Sequence, residues 1–233
     1  MQIFGRGFIA KNLKKIKIQK KYIIYAAGVS NSNLKEKKKY NYEISRFKKF
    51  LKKMSKNKTI IYISTFSANN KYLKNDLYVK NKIIIENLIK RNSISFIIFR
   101  LPQIIGISKN KNTLTNAIYY FISREKKFSI WKGSVRNLID IDDLKSIIEN
   151  YLKNNPPENT IINIYNPKFI KIEDLIKIFE KILNKKAKVE TQVKKNKNVN
   201  IKLLNKKNNL DKGYYKDLLS KNYYKNIIKK YYS

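Results

Sequence analysis

The sequence predicts an α/β fold: a Rossmann-like, doubly wound parallel sheet followed by a smaller C-terminal part. Three observations predict it. Short Ile-rich runs, apolar on both faces, recur through the first hundred residues, as strands buried on both sides of a parallel sheet do. Longer runs with helical spacing separate them, which is the βαβ alternation. The first apolar run enters Gly5-Arg6-Gly7, a strand–glycine–helix turn, in a chain of only 6 glycines.

Taken in order, Ile3-Phe4 begins the first strand and residues 8–15 have the spacing of a helix. Tyr22–Ala27 is a fully apolar strand that stops at Gly28. Residues 40–55 form a basic helix, and Thr59–Ile63 is a strand ending at Ser64-Thr65. Residues 76–91 are helical. Ser95–Arg100 is a strand stopped by Leu101-Pro102, since proline has no N–H to continue a ladder. Beyond residue 106 the pattern changes. Residues 113–125, 141–153 and 172–184 have helical spacing, and Thr160–Ile164 reads as a strand. Residues 185–212 are Lys/Asn-rich and poorly periodic, and predict a mobile loop or irregular edge. The tail, 213–233, carries Tyr, Ile and Leu at roughly helical spacing. The expected organisation is a first part over 1–110 and a second over 111–233.

Composition excludes several chemistries. With 53 Lys+Arg, 16 Asp+Glu, no His and no Cys, the formal net charge is +37. There is no imidazole for a Ser-His-Asp or Cys-His hydrolase, no Cys/His zinc site and no disulfide. Acid–base work falls to Tyr, Lys, Asp, Glu, Ser or Thr. The charge alone suggests an anionic partner. Yet Lys far outnumbers Arg, and Ile, Lys, Asn and Tyr make up more than half the chain, residues that share A/T-rich codons. Lysines spread over every exposed helix face would express that drift, and this reading disfavours a nucleic-acid partner. No apolar run reaches the ~18 residues of a membrane helix, no leader precedes the first strand, and the absence of Cys fits a cytoplasmic address.

Two constellations carry chemistry. Gly5-Arg6-Gly7-Phe8-Ile9-Ala10 is a G-x-G-x-x-A turn, whose backbone N–H groups can approach a pyrophosphate at a helix N-terminus. The acidic residue that would hold an adenosine ribose about twenty residues later is absent. Residues 14–21 are basic instead, which with Arg6 suits a 2′-phosphate and tilts the expected cofactor, NAD or NADP, towards NADP. The second is Tyr78-Val79-Lys80-Asn81-Lys82. A spacing of four puts Tyr78 and Lys82 on one helix face. An ammonium beside a phenol favours the phenolate and makes tyrosine a usable proton donor and acceptor. The helix follows Ser64-Thr65-Phe66-Ser67, so Ser/Thr hydroxyls, Tyr and Lys succeed one another.

These residues, in this order, resemble an extended short-chain dehydrogenase/reductase of the NAD-dependent epimerase/dehydratase family, which acts on nucleotide sugars. Ile24–Gly28 resembles the family's strand beside the cofactor, and Tyr62–Thr65 its strand with the catalytic Ser/Thr. Arg100-Leu101-Pro102-Gln103-Ile104-Ile105-Gly106 resembles the R-x-P-x-x-x-G segment near the nicotinamide. Arg136–Asp143 resembles the segment whose Arg helps hold the nucleotide diphosphate, and Asn163–Asn166 the family's C-terminal part.

The resemblance implies hydride chemistry with Thr65, Tyr78 and Lys82 as catalytic residues. It implies a cofactor held by Gly5, Arg6, Gly7, Phe8, Ile9, Ala26, Ala27, Gly28, Tyr78, Lys82, Leu101 and Pro102. Ser67, Asn112, Trp131 and Arg136 would bind the substrate. It also implies a role in surface-polysaccharide biosynthesis and a homodimer as the common assembly. The chain departs from the family in length. Only about fifteen residues separate Ala10 from the Ala26 strand, too few for the strand–helix–strand that holds adenosine. Two alternatives remain on the sequence: a catalytically weakened NAD(P)-binding protein, and a nucleic-acid binder using its basic surface.

Overall fold

The structure, a computed structural model, describes residues 2–29, 34–70, 73, 75–92, 95–108, 110, 113–154, 156–193, 212–215 and 217–233. Among them, those within Met1–Pro102 and Leu144–Ile164 form one compact unit. Those within Gln103–Asp143, Tyr165–Leu203 and Asp211–Ser233 form a second. A linear reading with one boundary near residue 110 does not show this return of 144–164 to the first unit. It arises because the fifth strand of the sheet comes from late in the chain.

The first unit is built on a five-stranded parallel sheet in the order β1-β2-β3-β4-β9. Its strands are β1 (Gln2–Phe4), β2 (Tyr22–Tyr25), β3 (Thr59–Thr65), β4 (Phe96–Leu101) and β9 (Thr160–Asn163). Phe4 pairs with Tyr25, Tyr25 with Tyr62, and Tyr62 with Ile98. Every residue of β2 and β3 is buried, which explains their unbroken apolar runs.

Alternate residues serve opposite faces. Tyr25, Ile60, Tyr62 and Ile98 form one core with Phe47 and Phe50 of α2 (Lys37–Lys53) and Ile85 and Ile89 of α3 (Leu77–Arg91). The Phe4 and Phe50 rings meet edge-on at 4.5 Å. On the other face Phe99 meets Tyr151 of α5 (Ile141–Lys153), rings 5.6 Å apart. The Lys17 backbone N–H donates to Glu149 of α5 at 3.4 Å, so α1 (Phe8–Leu13) lies on that face too.

This placement has a topological consequence. The strand order advances in one direction, yet α1 and α2 lie on opposite faces, so the β1–α1–β2 and β2–α2–β3 crossovers have opposite hands. With the usual right-handed hand for the second, a right-handed path through α1 would deposit a strand on the far side of β1. Among the described residues β1 pairs with β2 alone. The short Ala10–Ala26 stretch is the sequence expression of that missing strand.

The second unit has three short strand pairs. β5 (Gln103–Ile105) runs parallel to β8 (Leu138–Asp140), β7 (Val135–Arg136) antiparallel to β10 (Ile170–Lys171), and β6 (Phe128–Trp131) parallel to β11 (Val189–Gln192). The last pair corrects the expectation for part of 185–212: Val189–Gln192 is an ordered strand. Residues 194–211 lie outside the described residues. Helices α4 (Leu114–Ser123), α6 (Ile172–Leu183) and α7 (Tyr223–Tyr232) complete the unit. Tyr232 of α7 packs its ring 5.1 Å from Phe179 and 5.3 Å from Tyr119, and its hydroxyl donates to Thr115 Oγ1 at 2.8 Å.

Candidate functional site

In a parallel sheet all carboxyl ends lie on one edge, where ligands bind in open α/β folds. Here that edge of the first unit brings together the turns after β1, β2, β3 and β4. Gly5 has φ +142°, and a Cβ there would lie 2.3 Å from the Ala26 carbonyl oxygen, so only glycine lets the two turns touch. Gly7 caps α1 and faces open space; its conformation makes no demand for glycine, but no side chain screens the first N–H groups of α1. Arg6 is exposed, and Phe8 and Ile9 are half-buried in the first turn. Ala26, Ala27 and Pro102 are half-buried on the same edge and Leu101 is buried.

Asp76 starts α3 by accepting the Val79 N–H at 3.1 Å, which sets Tyr78 in the first turn and Lys82 one turn on. Lys82 Nζ lies 5.7 Å from the centre of the Tyr78 ring and 5.4 Å from that of Tyr62. Burial pushes the Tyr62 phenol well above its ordinary value, and the Glu43 and Glu86 carboxylates add to the effect, so Tyr62 remains a neutral wall. Tyr78 is half-buried, and Lys82 is only 4% exposed.

Glu43 is the site residue that the sequence reading missed. Its Oε1 lies 3.4 Å from Lys82 Nζ and its Oε2 accepts the Val29 N–H at 2.9 Å. A Cβ on Gly28 would fall 2.1 Å from Lys82 Nζ and 2.6 Å from Glu43 Oε1. Gly28 is thus the seat of the ion pair. The available signal was that Glu43 is the one acid in the 17 residues of α2.

Thr65 is buried, and its Oγ1 accepts the Ser67 N–H at 3.3 Å. Ser67 is half-buried in the turn that follows. Ser64, the neighbouring hydroxyl, is engaged elsewhere: it donates to Glu86 at 2.6 Å. Arg100 forks onto both Glu86 oxygens at 3.0 and 2.6 Å and donates to Asn69 at 2.7 Å. Asn69 donates on to Asn163 at 2.8 Å. This network ties β3, β4, α3 and β9, and makes Arg100 a structural residue of the R-x-P segment.

The remaining expected substrate residues belong to the second unit or lie outside the description. Asn112 is outside the described residues. Trp131 is 40% exposed on β6. Arg136 sits on β7; burial pulls its guanidinium below the ordinary arginine value, and the Glu173 carboxylate opposes that. Asp140 and Asp142, which follow Arg136 in the chain, have a cation partner in α7. Lys230 of α7 bridges both, at 2.7 and 2.6 Å, and Tyr231 donates to Asp140 at 2.6 Å. Tyr223 donates to Asp143 at 2.6 Å and accepts the Asp140 N–H at 2.9 Å. The aromatics of the tail are therefore fastened into the fold.

The arrangement fits part of a dinucleotide. The Gly5–Gly7 turn suits its phosphates and the Tyr78–Lys82 corner at Gly28 suits a ribose-linked ring. The adenosine end finds no strand on the side of β1 away from β2 among the described residues.

No protein-family model matches the sequence, and no curated protein matches it. Solved structures do resemble it. RMD from Pseudomonas aeruginosa, complexed with NADPH, superposes with a TM-score of 0.66 at 13% identity over 82% of this chain and 87% of that one. UDP-glucuronic acid 4-epimerase from Bacillus cereus, in complex with NAD, gives 0.65 at 20% identity over 80% and 65%. UDP-N-acetylglucosamine 4-epimerase from Methanobrevibacter ruminantium gives 0.62 at 18% over 87% and 76%. The chain spans less than two thirds of the Bacillus cereus enzyme. Over most of its length it has the Rossmann-like fold of these extended short-chain dehydrogenase/reductase structures.

Proposed function

We propose that the chain is an NAD(P)-dependent enzyme that epimerises, dehydrates or reduces a nucleotide sugar, with NADP as the favoured dinucleotide. The observation that carries this reading is Lys82 Nζ, 5.7 Å from the Tyr78 ring and seated at Gly28, on the sheet edge that holds the glycine turn. When bound, the dinucleotide supplies the hydride acceptor and donor. Tyr78 moves a proton at its Oη to or from the sugar oxygen, and Lys82 holds the ribose side of the site. The Thr65 oxygen already accepts from Ser67, so its own O–H proton is left to donate to the reacting oxygen. Gly5, Gly7 and the exposed Arg6 receive the phosphates; Ser67, Trp131 and Arg136 are the proposed substrate contacts.

One observation favours a second reading. Glu43, 1% exposed, occupies the Lys82 ammonium. A protein that binds the dinucleotide without turning over a sugar would tolerate such a partner.

The test is titration of the purified protein with NAD(H) and NADP(H), followed by fluorescence and thermal shift, and then a turnover assay on UDP-sugars. Tighter NADP(H) binding with turnover is expected. Binding without turnover selects the second reading, and no binding overturns both.

A further inference from the structure

Apart from the glycine turn, which follows β1 itself, every residue expected at the cofactor lies on one side of β1. Ala26, Ala27 and Gly28 follow β2, and Thr65 ends β3. Tyr78 and Lys82 stand on α3 between β3 and β4, Leu101 ends β4 and Pro102 follows it. In the order β1-β2-β3-β4-β9 all these strands extend from the same edge of β1. A doubly wound dinucleotide fold has two mononucleotide-binding halves, placed on either side of its first strand. Here β2 is the neighbour of β1 and leads directly into the half that holds Lys82. The path from α1 to β2 shows why the other half is not built. The Lys17 N–H donates to Glu149 of α5 at 3.4 Å. The Lys20 carbonyl accepts from Lys58 Nζ at 2.9 Å, and the Lys21 carbonyl accepts the N–H of Thr59, the first residue of β3, at 2.9 Å. The segment therefore returns straight to the amino edge of the sheet. That path corrects the expectation that residues 14–21 suit a 2′-phosphate. They descend to the edge opposite the ligand turns, and of that basic set only Arg6 stays beside the glycines.

We propose that the site recognises only the nicotinamide mononucleotide half of the dinucleotide, so that free nicotinamide mononucleotide is a ligand in its own right. The proposal deepens the dinucleotide reading above and rests on it. The groups suited to a ribose-linked ring are all present: Tyr78, the buried Lys82 seated at Gly28, and Thr65. Gly5 lies against Ala26, so the turns after β1 and β2 meet where a phosphate would leave that ribose. A mononucleotide phosphate carries a charge of about −2 near neutral pH. A pyrophosphate diester carries the same total, so the turn meets equal charge in either ligand. Past that point the adenosine extends beyond β1, where among the described residues no strand supplies a wall. A base is held by a concave apolar surface with placed polar groups, and the exposed Arg6 offers neither. Arg6 can attract a further phosphate, so the proposed preference for NADP falls to it alone.

The test is titration of the full chain with NADH and with reduced nicotinamide mononucleotide, followed by the fluorescence of the reduced ring that both carry. Dissociation constants within about tenfold of each other are expected, since an adenosine held in a pocket would add about 10³-fold or more. AMP, the other half, should not displace NADH. Hypoxanthine in place of adenine should leave the affinity of the dinucleotide within about twofold, because no group hydrogen-bonds the base. Lys14→Gln, Lys15→Gln and Lys17→Gln together should leave NADPH binding unchanged. The proposal is overturned if the mononucleotide binds more weakly than the tenfold margin allows, or if AMP displaces NADH. It is also overturned if the triple variant loses NADPH affinity, which would place the adenosine ribose against residues 14–21. NADH binding without mononucleotide binding overturns this proposal alone. Binding of neither reduced ligand overturns it together with the dinucleotide reading.

Discussion

Lys82 Nζ and Glu43 Oε1 lie 3.4 Å apart, both nearly sealed from solvent, with the α-carbon of Gly28 closing over them. Removing one partner of a buried ion pair leaves the other charge uncompensated, at a cost of about 3–5 kcal/mol, whereas removing both can be close to neutral. Lys82→Met and Glu43→Gln should each destabilise the protein strongly in urea unfolding, and the double variant should recover most of the loss. Additive effects would show that the pair is not coupled.

The two glycines at the strand ends should differ sharply from the third. A Cβ at Gly5 or Gly28 would lie closer than 2.5 Å to another atom, against open space at Gly7. Gly5→Ala meets rigid backbone and an unfavourable φ, and should cost about 2–3 kcal/mol. Gly28→Ala meets the mobile end of Lys82 and should cost about 1–3 kcal/mol while displacing the pair. Gly7→Ala should stay within about 0.5 kcal/mol. Denaturant unfolding of the three variants checks the order; equal effects at Gly5 and Gly7 would refute the close approach to Ala26.

Tyr78→Phe removes the oxygen proposed to move the proton and little else. Turnover on a nucleotide sugar should fall by about 10²–10⁴-fold, with the dinucleotide dissociation constant nearly unchanged. Thr65→Val should likewise lower kcat more than it raises KM. Full activity in Tyr78→Phe would dismiss Tyr78 as the proton donor.

In the second unit, the Gly133 N–H donates to Glu173 at 2.5 Å and holds that carboxyl below its ordinary value. A depressed carboxyl contributes stability above its unfolded value, about 4.3, and that contribution is lost as pH falls through the folded value. Wild type should therefore lose stability between roughly pH 5 and pH 3 more steeply than Glu173→Gln. Parallel pH–stability curves would show that the bond adds nothing.

Most of the first unit was legible in the chain. Runs such as Thr59–Thr65 are buried on both faces and so carry no alternation to misread, and α5 begins and ends at the residues its periodicity predicts. The short strands β5–β8, β10 and β11 were not legible: two to four residues give no period, and their pairing is decided by partners as far as 61 residues away. Within the site, the Gly5–Gly7 turn and the Tyr78–Lys82 spacing are local and could be read directly. Glu43 could not, because it meets Lys82 across 39 residues.

By itself the sequence determined the βαβ alternation, the glycine turn and the Tyr–Lys pair, all of which rest on periodicity or on spacing within one turn of helix. Tertiary structure alone decided the direction of the charges. Of two acids in two lysine-rich helices, packing turned both inward, to Lys82 and Arg100, because a buried cation requires a counter-charge. That left the two helices with no exposed carboxylate of their own; the exposed acids beside them are the caps Glu36, paired with Lys39, and Asp76. It also decided that β1 ends the sheet, since α1 crosses on the face opposite α2 and no strand follows on the far side among the described residues.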